Sequence, residues 1–302
     1  MGKNSVNKPV LLIFAALLFA PPILSPAAEA LLMDTFTEIV IKDNLPERGA
    51  LESDTARLMK ELEKKFNYHD PASEISLINR HSPGKKTAVS QEAYELLLLA
   101  KKMSEETSGA FDIARGRGGW FIDENTHEVW RVSGGIRLDP GGIAKGFIVD
   151  KGIAFLKENG VKNAMINAGG DMYCLGDSKT EGKGWRIGIR DPFKAKGVSA
   201  DFAVRNKGVA TSGDYERPGH IIDPATQAPA RSGAISVTVV SENCARSDAL
   251  STALYVLGPE KGISLIEHIG GAEAYIVAED GKAHASSGFR ADNEKQKKNS
   301  AG

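Results

Sequence analysis

The chain has 302 residues, 41% hydrophobic and 25% charged, a composition that builds a core and excludes a disordered or fibrous protein. Lys and Arg number 38 against 39 Asp and Glu, so no basic excess tracks a phosphate backbone and a nucleic-acid partner is disfavoured. The two cysteines, Cys174 and Cys244, cannot build a disulfide framework, and without a Cys-x-x-Cys there is no zinc ribbon or thioredoxin-type motif.

The first thirty residues read as an address. Lys3 and Lys8 precede an apolar stretch from Pro9 to Leu24 that runs into Ala28-Glu29-Ala30. Positive flank, short apolar core and small-residue ending make a secretory signal peptide. A membrane anchor is the weaker reading, because Pro21-Pro22 interrupts a run already short of the ~20 residues a spanning helix needs. No cysteine lies near the cleavage site, so no lipid is attached there. The mature chain is expected to begin at about Leu31, in a periplasm, without stable membrane insertion. In that compartment Cys174 and Cys244 either pair or remain isolated thiols.

Thr35 to Lys42 is rich in Thr, Ile and Val and reads as a strand. Leu51, Thr55, Leu58, Met59, Leu62 and Phe66 recur at three-and-four spacing and predict an amphipathic helix. A second helix starts after Ser90 as N-cap, carries Ala93, Leu96, Leu97, Ala100 and Met103 on one face, and stops at Gly109. A third runs from about Ile143 to Asn159, ended by Gly160. Strand-like runs follow at 163–168, 185–190, 202–204 and 234–240, then helices at 247–257 and 260–269 and a last strand at 274–278. Helices do not alternate regularly with strands. The expected class is therefore α+β, with mixed or antiparallel sheets and packed helices in a single unit, 31–290. The polar tail 291–302 is expected to be disordered.

Five segments carry chemistry. Asp139-Pro-Gly-Gly-Ile-Ala-Lys-Gly146 leads into the third helix. Glycines at a helix start let backbone N–H groups approach an anion, the dipole favours negative charge, and Lys145 adds a point charge suited to phosphate. A tight turn explains the same glycines, and neither a Walker A order nor a Rossmann fingerprint is present. Ile166-Asn-Ala-Gly-Gly-Asp-Met172 is a similar loop, in which Asp171 orients a ligand or caps the turn. Thr211-Ser-Gly-Asp-Tyr215 and His220-Ile-Ile-Asp-Pro224 then gather hydroxyls, carboxylates, a phenol and an imidazole. His220, one of six histidines, is a candidate acid or base there. Finally, Asp248 and Thr252 stand four apart on a predicted helix, with Cβ atoms about 5–6 Å apart on one face. Both oxygens can reach one hard cation, and Mg²⁺ prefers such ligands. A carboxylate facing the helix dipole beside a self-bonded threonine accounts for the same pair.

In this order, the blocks 139–146, 167–171, 211–215, 220–224 and 245–252 resemble the ApbE family of FAD:protein FMN transferases, from Met33 to about Phe289. Gly109-Ala-Phe-Asp112 is similar to the family's Gly-Ala-hydrophobic-Asp segment. The departure is Met33-Asp34-Thr35, where the family usually reads Met-Gly-Thr. The resemblance implies an ApbE-like fold and a flavin nucleotide site lined by Met33, Tyr68, Ala110, Phe111, Asp112, Gly141, Phe147 and Ile222. It implies Mg²⁺ ligands in the main-chain carbonyl of Ala144 and the side chains of Asp248 and Thr252, with Ser251 close enough to assist. His220 is implied as general base or as the group orienting the incoming hydroxyl, Asp171 as a supporting residue of the site, and the N–H groups of Gly141 and Gly142 as pyrophosphate donors.

The implied reaction is Mg²⁺-dependent attack by a Thr or Ser hydroxyl of an acceptor protein on the FMN-side phosphorus of FAD, with AMP leaving. If water attacks instead, the site is a Mg²⁺-dependent FAD pyrophosphatase giving FMN and AMP. A periplasmic FAD-binding carrier without chemistry is the non-enzymatic alternative. Acceptors in the family are extracytoplasmic domains of membrane redox complexes, such as the sodium-pumping NADH:quinone oxidoreductase and the Rnf complex, which agrees with an exported chain.

Overall fold

The computed structural model describes residues 28–33, 35–178, 182–194, 197–214 and 219–291. The leader up to residue 27, Asp34, Tyr215 and the tail from residue 292 lie outside the described residues.

The chain opens with a hairpin, β1 (Ala28–Leu32) and β2 (Thr35–Ile41), and β1 crosses the expected end of the leader. Helices α1 (Arg48–Phe66) and α2 (Glu74–Arg80), strand β3 (Thr87–Ala88) and helix α3 (Gln91–Glu106) follow. Next come β4 (Trp120–Asp123), β5 (Glu128–Arg131), α4 (Ala144–Glu158), β6 (Ala164–Ala168), β7 (Asp171–Leu175), β8 (Trp185–Arg190) and β9 (Val198–Val204). The chain then forms β10 (Lys207–Gly213), β11 (Ala234–Ser241), α5 (Cys244–Leu257), α6 (Pro259–Ile269), β12 (Ala272–Ala278) and β13 (Ala283–Ala285).

Eight strands form one sheet in the order β1-β2-β6-β7-β10-β11-β12-β13, antiparallel at every pairing. Alternation along its strands divides the side chains between two cores. On β12, Ala274 and Ile276 join the helical core with Leu250 and Leu254. Their neighbours Tyr275 and Val277 face the other way, against Trp185, Ile187 and Phe202 of the β8–β9 ribbon. The fold is the expected α+β.

The thiols settle on the same division. Cys174 lies in the ribbon-side core and Cys244 in the helix-side core, so the sheet stands between two free, buried cysteines. Burial pushes the Cys174 thiol up to about 12.

Ser90 caps α3 as expected, accepting the N–H of Ala93 at 3.4 Å. The helix expected to begin at Ser247 begins instead at Cys244, because Asn243 accepts the N–H of Arg246 at 2.8 Å and acts as N-cap. Asp248 therefore sits in the second turn, 4% exposed, rather than at a solvent-facing helix start. Strand β7 begins inside the segment that reads as a glycine loop, and β10 falls on residues to which the sequence reading assigns no strand. The turn between β6 and β7 is only Gly169-Gly170, with φ of 64° and 104°, a two-residue hairpin that glycine alone adopts without strain.

Helices α4 and α5 cross at Gly146, where a Cβ would stand 2.5 Å from the carbonyl oxygen of Cys244. That contact lets each helix cap the other. Asp150 of α4 accepts the N–H groups of Cys244 and Ala245, both at 2.8 Å. Asp248 of α5 accepts the N–H of Gly146 at 3.0 Å. Each carboxylate meets the positive end of the opposing helix and takes donors that have no partner within it.

Burial pushes the Asp150 carboxyl up from 3.8 to about 6, although the two N–H bonds pull it down. The native state thus binds this proton more tightly than the unfolded chain. Its stabilising contribution is complete below pH 4 and is lost as pH rises through 6, by up to about 3 kcal/mol. Urea unfolding across pH 4–7 should show this decline in the wild type and a flatter profile in Asp150→Asn. Asp150→Ala, which strands two buried donors, should cost about 2–4 kcal/mol at neutral pH.

Candidate active site

A cleft of about 440 Å³ opens where the β1–β2 turn, the β6–β7 turn and the end of β10 meet the start of α4 and one face of α5. It has the volume of a small-molecule site. Met33, Tyr68, Ala110, Phe111, Asp112, Gly141, His220, Ile222, Asp248 and Thr252 all line it. Residues from six separated segments therefore converge on one cleft.

Phe147 does not. Its ring packs edge-on against Phe66 at 5.8 Å in the helical core. The cleft receives Lys145 from α4, and two residues further on a helix turns its side chain about 200° away. Ala144, first residue of α4, lies between Gly142 and Lys145, which line the cleft. Ser251 is fully buried and donates back to the carbonyl of Asp248 at 2.9 Å, so its hydroxyl is committed to the helix.

The glycine turn also differs from expectation. The N–H of Gly141 is taken by Oδ1 of Asp139 at 3.0 Å, so it serves the turn and not an anion. Gly142 leaves room beside Thr252: a Cβ there would lie 3.0 Å from its Oγ1 and 3.4 Å from Phe111, a tight fit that would press on the threonine. Oδ2 of Asp139 pairs with the Arg115 guanidinium. Asp112 holds the adjoining turn, accepting the N–H groups of Ala114 and Gly116, each at 2.8 Å.

At the α5 side the polar groups are oxygens. Lys145 pairs with Asp171, which is 2% exposed beneath it. Burial opposes the charge on Lys145, but the Asp171 and Asp248 carboxylates hold its ammonium above the ordinary lysine range. Burial, then the charge of Asp171, pushes the Asp248 carboxyl up. Among the described residues Asp248 has no ion-pair partner of its own. Ser212, on β10, lies 2.8 Å from the Ser251 hydroxyl and 3.4 Å from that of Thr252.

Across the cleft, Nδ1 of His220 lies 3.2 Å from Oδ1 of Asp214. The other oxygen of Asp214 accepts the N–H of Gly219 at 2.7 Å, which fixes the carboxylate. A proton on Nδ1 facing Asp214 leaves Nε2 as the basic nitrogen. The rings of Tyr68 and His69 lie 3.9 Å apart at the far end.

Sequence reasoning did not single out Arg115, Ser212 or Asp150, and gave Asp214 no role. Asp214 stands in a quoted block, six residues before His220, and that proximity was the available signal. Nothing local marks Arg115 or Asp150, whose partners are 24 and 94 residues away.

The ApbE family model matches residues 33–122 and 119–276. A FAD:protein FMN transferase of Klebsiella pneumoniae is 29% identical over 269 residues, 76% of this chain and 83% of that protein. One from Treponema pallidum is 34% identical over 179 residues, and the chain spans about half of it, 49%. Among solved structures, the flavin transferase ApbE of Vibrio cholerae superposes with a TM-score of 0.78 at 25% identity, covering 87% of this chain and 97% of that one. The ApbE protein of Thermotoga maritima gives 0.79 at 29% identity, with the same coverage.

Removing Lys145 alone strands a buried carboxylate. Lys145→Met should cost about 2–3 kcal/mol in urea unfolding, discounted from the buried-pair range because Lys145 is one-third exposed. Lys145→Met combined with Asp171→Asn should recover most of that loss; additive losses would show that the two groups are not coupled.

Proposed function

Because the chain belongs to the ApbE family, we propose that it transfers the FMN moiety of FAD to a threonine or serine hydroxyl of an acceptor protein, releasing AMP. One observation carries the reading: a buried, ion-pair-free carboxylate and a hydroxyl one turn apart, Asp248 and Thr252, face the same cleft as a carboxylate-oriented imidazole.

Asp248 keeps one oxygen beyond its bond to Gly146, and Thr252 and Ser212 add hydroxyls. So few protein oxygens suit Mg²⁺, which takes the rest of its shell from water and substrate phosphates. Asp248 and Thr252 would hold it, beside the first turn of α4. Bound there, the ion would neutralise charge on the phosphoryl oxygens.

The chain's own residues do the rest. The tied turn around Asp139 and Gly141 shapes the cleft beside the diphosphate, and Tyr68 and His69 offer flat surfaces to a ring system. Nε2 of His220 takes the proton of the acceptor hydroxyl as its oxygen bonds the FMN-side phosphorus. The bond from that phosphorus to the bridging oxygen breaks, and AMP leaves with that oxygen. His220 is 46% exposed, so water shares its access, and slow hydrolysis of FAD to FMN and AMP replaces transfer when no acceptor is present. The leader-like start supports an extracytoplasmic acceptor, of the kind found in membrane redox complexes.

Incubation with FAD, Mg²⁺ and an acceptor domain should add an FMN-sized mass to the acceptor. Asp248→Ala should abolish the gain, and His220→Ala should slow it by about 10²–10⁴-fold with FAD still bound. An unmodified, competent acceptor beside intact bound FAD would overturn the assignment in favour of a carrier.

A further inference from the structure

We propose that Arg115 is a specificity-determining residue of this cleft, donating through its guanidinium to a phosphate oxygen of the dinucleotide's diphosphate; this rests on the flavin-transfer reading.

The backbone gives the first reason. Arg115 has φ of 53°, the left-handed region that a long side chain adopts only under constraint. The constraint comes from both sides. Asp112 grips Ala114 and Gly116, and Gly116 is wedged so closely that a Cβ would stand 1.9 Å from the carbonyl oxygen of Pro224. Folding of this turn needs no arginine, and glycine would occupy φ of 53° with less strain. The side chain is retained against the preference of its own backbone.

The side chain gives the second reason. It lines the cleft and is 43% exposed. Asp139 occupies one N–H of the guanidinium, and the Tyr68 hydroxyl lies close enough to feel its charge. A fork of five donors still has capacity for another oxyanion. Asp139 ties the same guanidinium to Gly141 at the start of α4, beside the groups that face the reacting phosphates.

Charge gives the third. Asp112, Asp139 and Asp248 line the cleft, and its other cation, Lys145, is neutralised by buried Asp171. A diphosphate entering this field meets more negative charge than one divalent ion offsets. Arg115, although paired with Asp139, keeps further guanidinium N–H groups to meet that diphosphate.

The test compares binding of FAD, ADP and riboflavin by the full chain with its Arg115→Gln, Arg115→Gly and Asp139→Asn variants, alongside thermal unfolding. Both Arg115 variants should bind FAD and ADP about ten-fold or more weakly, the loss of one charge-assisted bond, and riboflavin within two-fold of wild type. Arg115→Gly should melt at or above the wild-type temperature, which separates recognition from folding. Asp139→Asn, which frees the guanidinium, should bind ADP at least as tightly as wild type. Wild-type ADP affinity in both Arg115 variants, or an equal loss for riboflavin, would overturn the proposal while leaving flavin transfer intact. Wild-type protein that binds neither FAD nor ADP would overturn both.

Discussion

Two helices that begin far apart in the chain close each other's ends, and the site depends on that exchange. Asp150 of α4 closes α5, and Asp248 of α5 closes α4. Gly146 permits the approach, since any larger residue would strike the backbone at Cys244. The crossing fixes the direction of α5 and so the face that carries Asp248 and Thr252. It also uses one oxygen of Asp248 and leaves the other in a buried setting. A carboxylate so placed is held in position before any ligand arrives, the preorganisation that phosphoryl chemistry needs.

The rest of the cleft follows an economy of charge. Each cation is held by a carboxylate, Lys145 by Asp171 and Arg115 by Asp139, and each pair spans two of the chain's motif blocks or their neighbours. The Lys145 pair joins α4 to the β6–β7 hairpin, and the Arg115 pair joins the turn after α3 to the glycine turn. They also leave the cleft short of net positive charge, so an anionic substrate is favoured chiefly when it arrives with a divalent ion. His220, beside Asp214, brings an imidazole to the same cleft.

Much of this arrangement was legible in the sequence, and the failures have physical causes. Helices with a one-sided apolar stripe were plain, as α3 shows with its Ser90 cap and buried Leu96, Leu97 and Met103. Strand β10 was not, because Thr211, Ser212 and Gly213 at its end face the cleft and break the apolar alternation of an ordinary strand. The start of α5 was misplaced because Ser247 and Asp248 look like a helix entrance, while the true cap is Asn243 and the partner completing it, Asp150, lies 94 residues earlier. The family resemblance implied a place for Phe147 in the flavin site, yet helical geometry turns it toward Phe66. Motif spacing identifies which segments meet. It does not report which donors are already spent, as Gly141 and Ser251 illustrate.

The central claim is that Asp248 and Thr252 hold a divalent ion against the diphosphate of FAD. Anomalous diffraction from crystals grown with FAD and Mn²⁺ reads this directly. The predicted result is a manganese peak bonded to both side chains and to a diphosphate oxygen. A bound dinucleotide whose diphosphate lies away from α5, with no metal at Asp248, would contradict it.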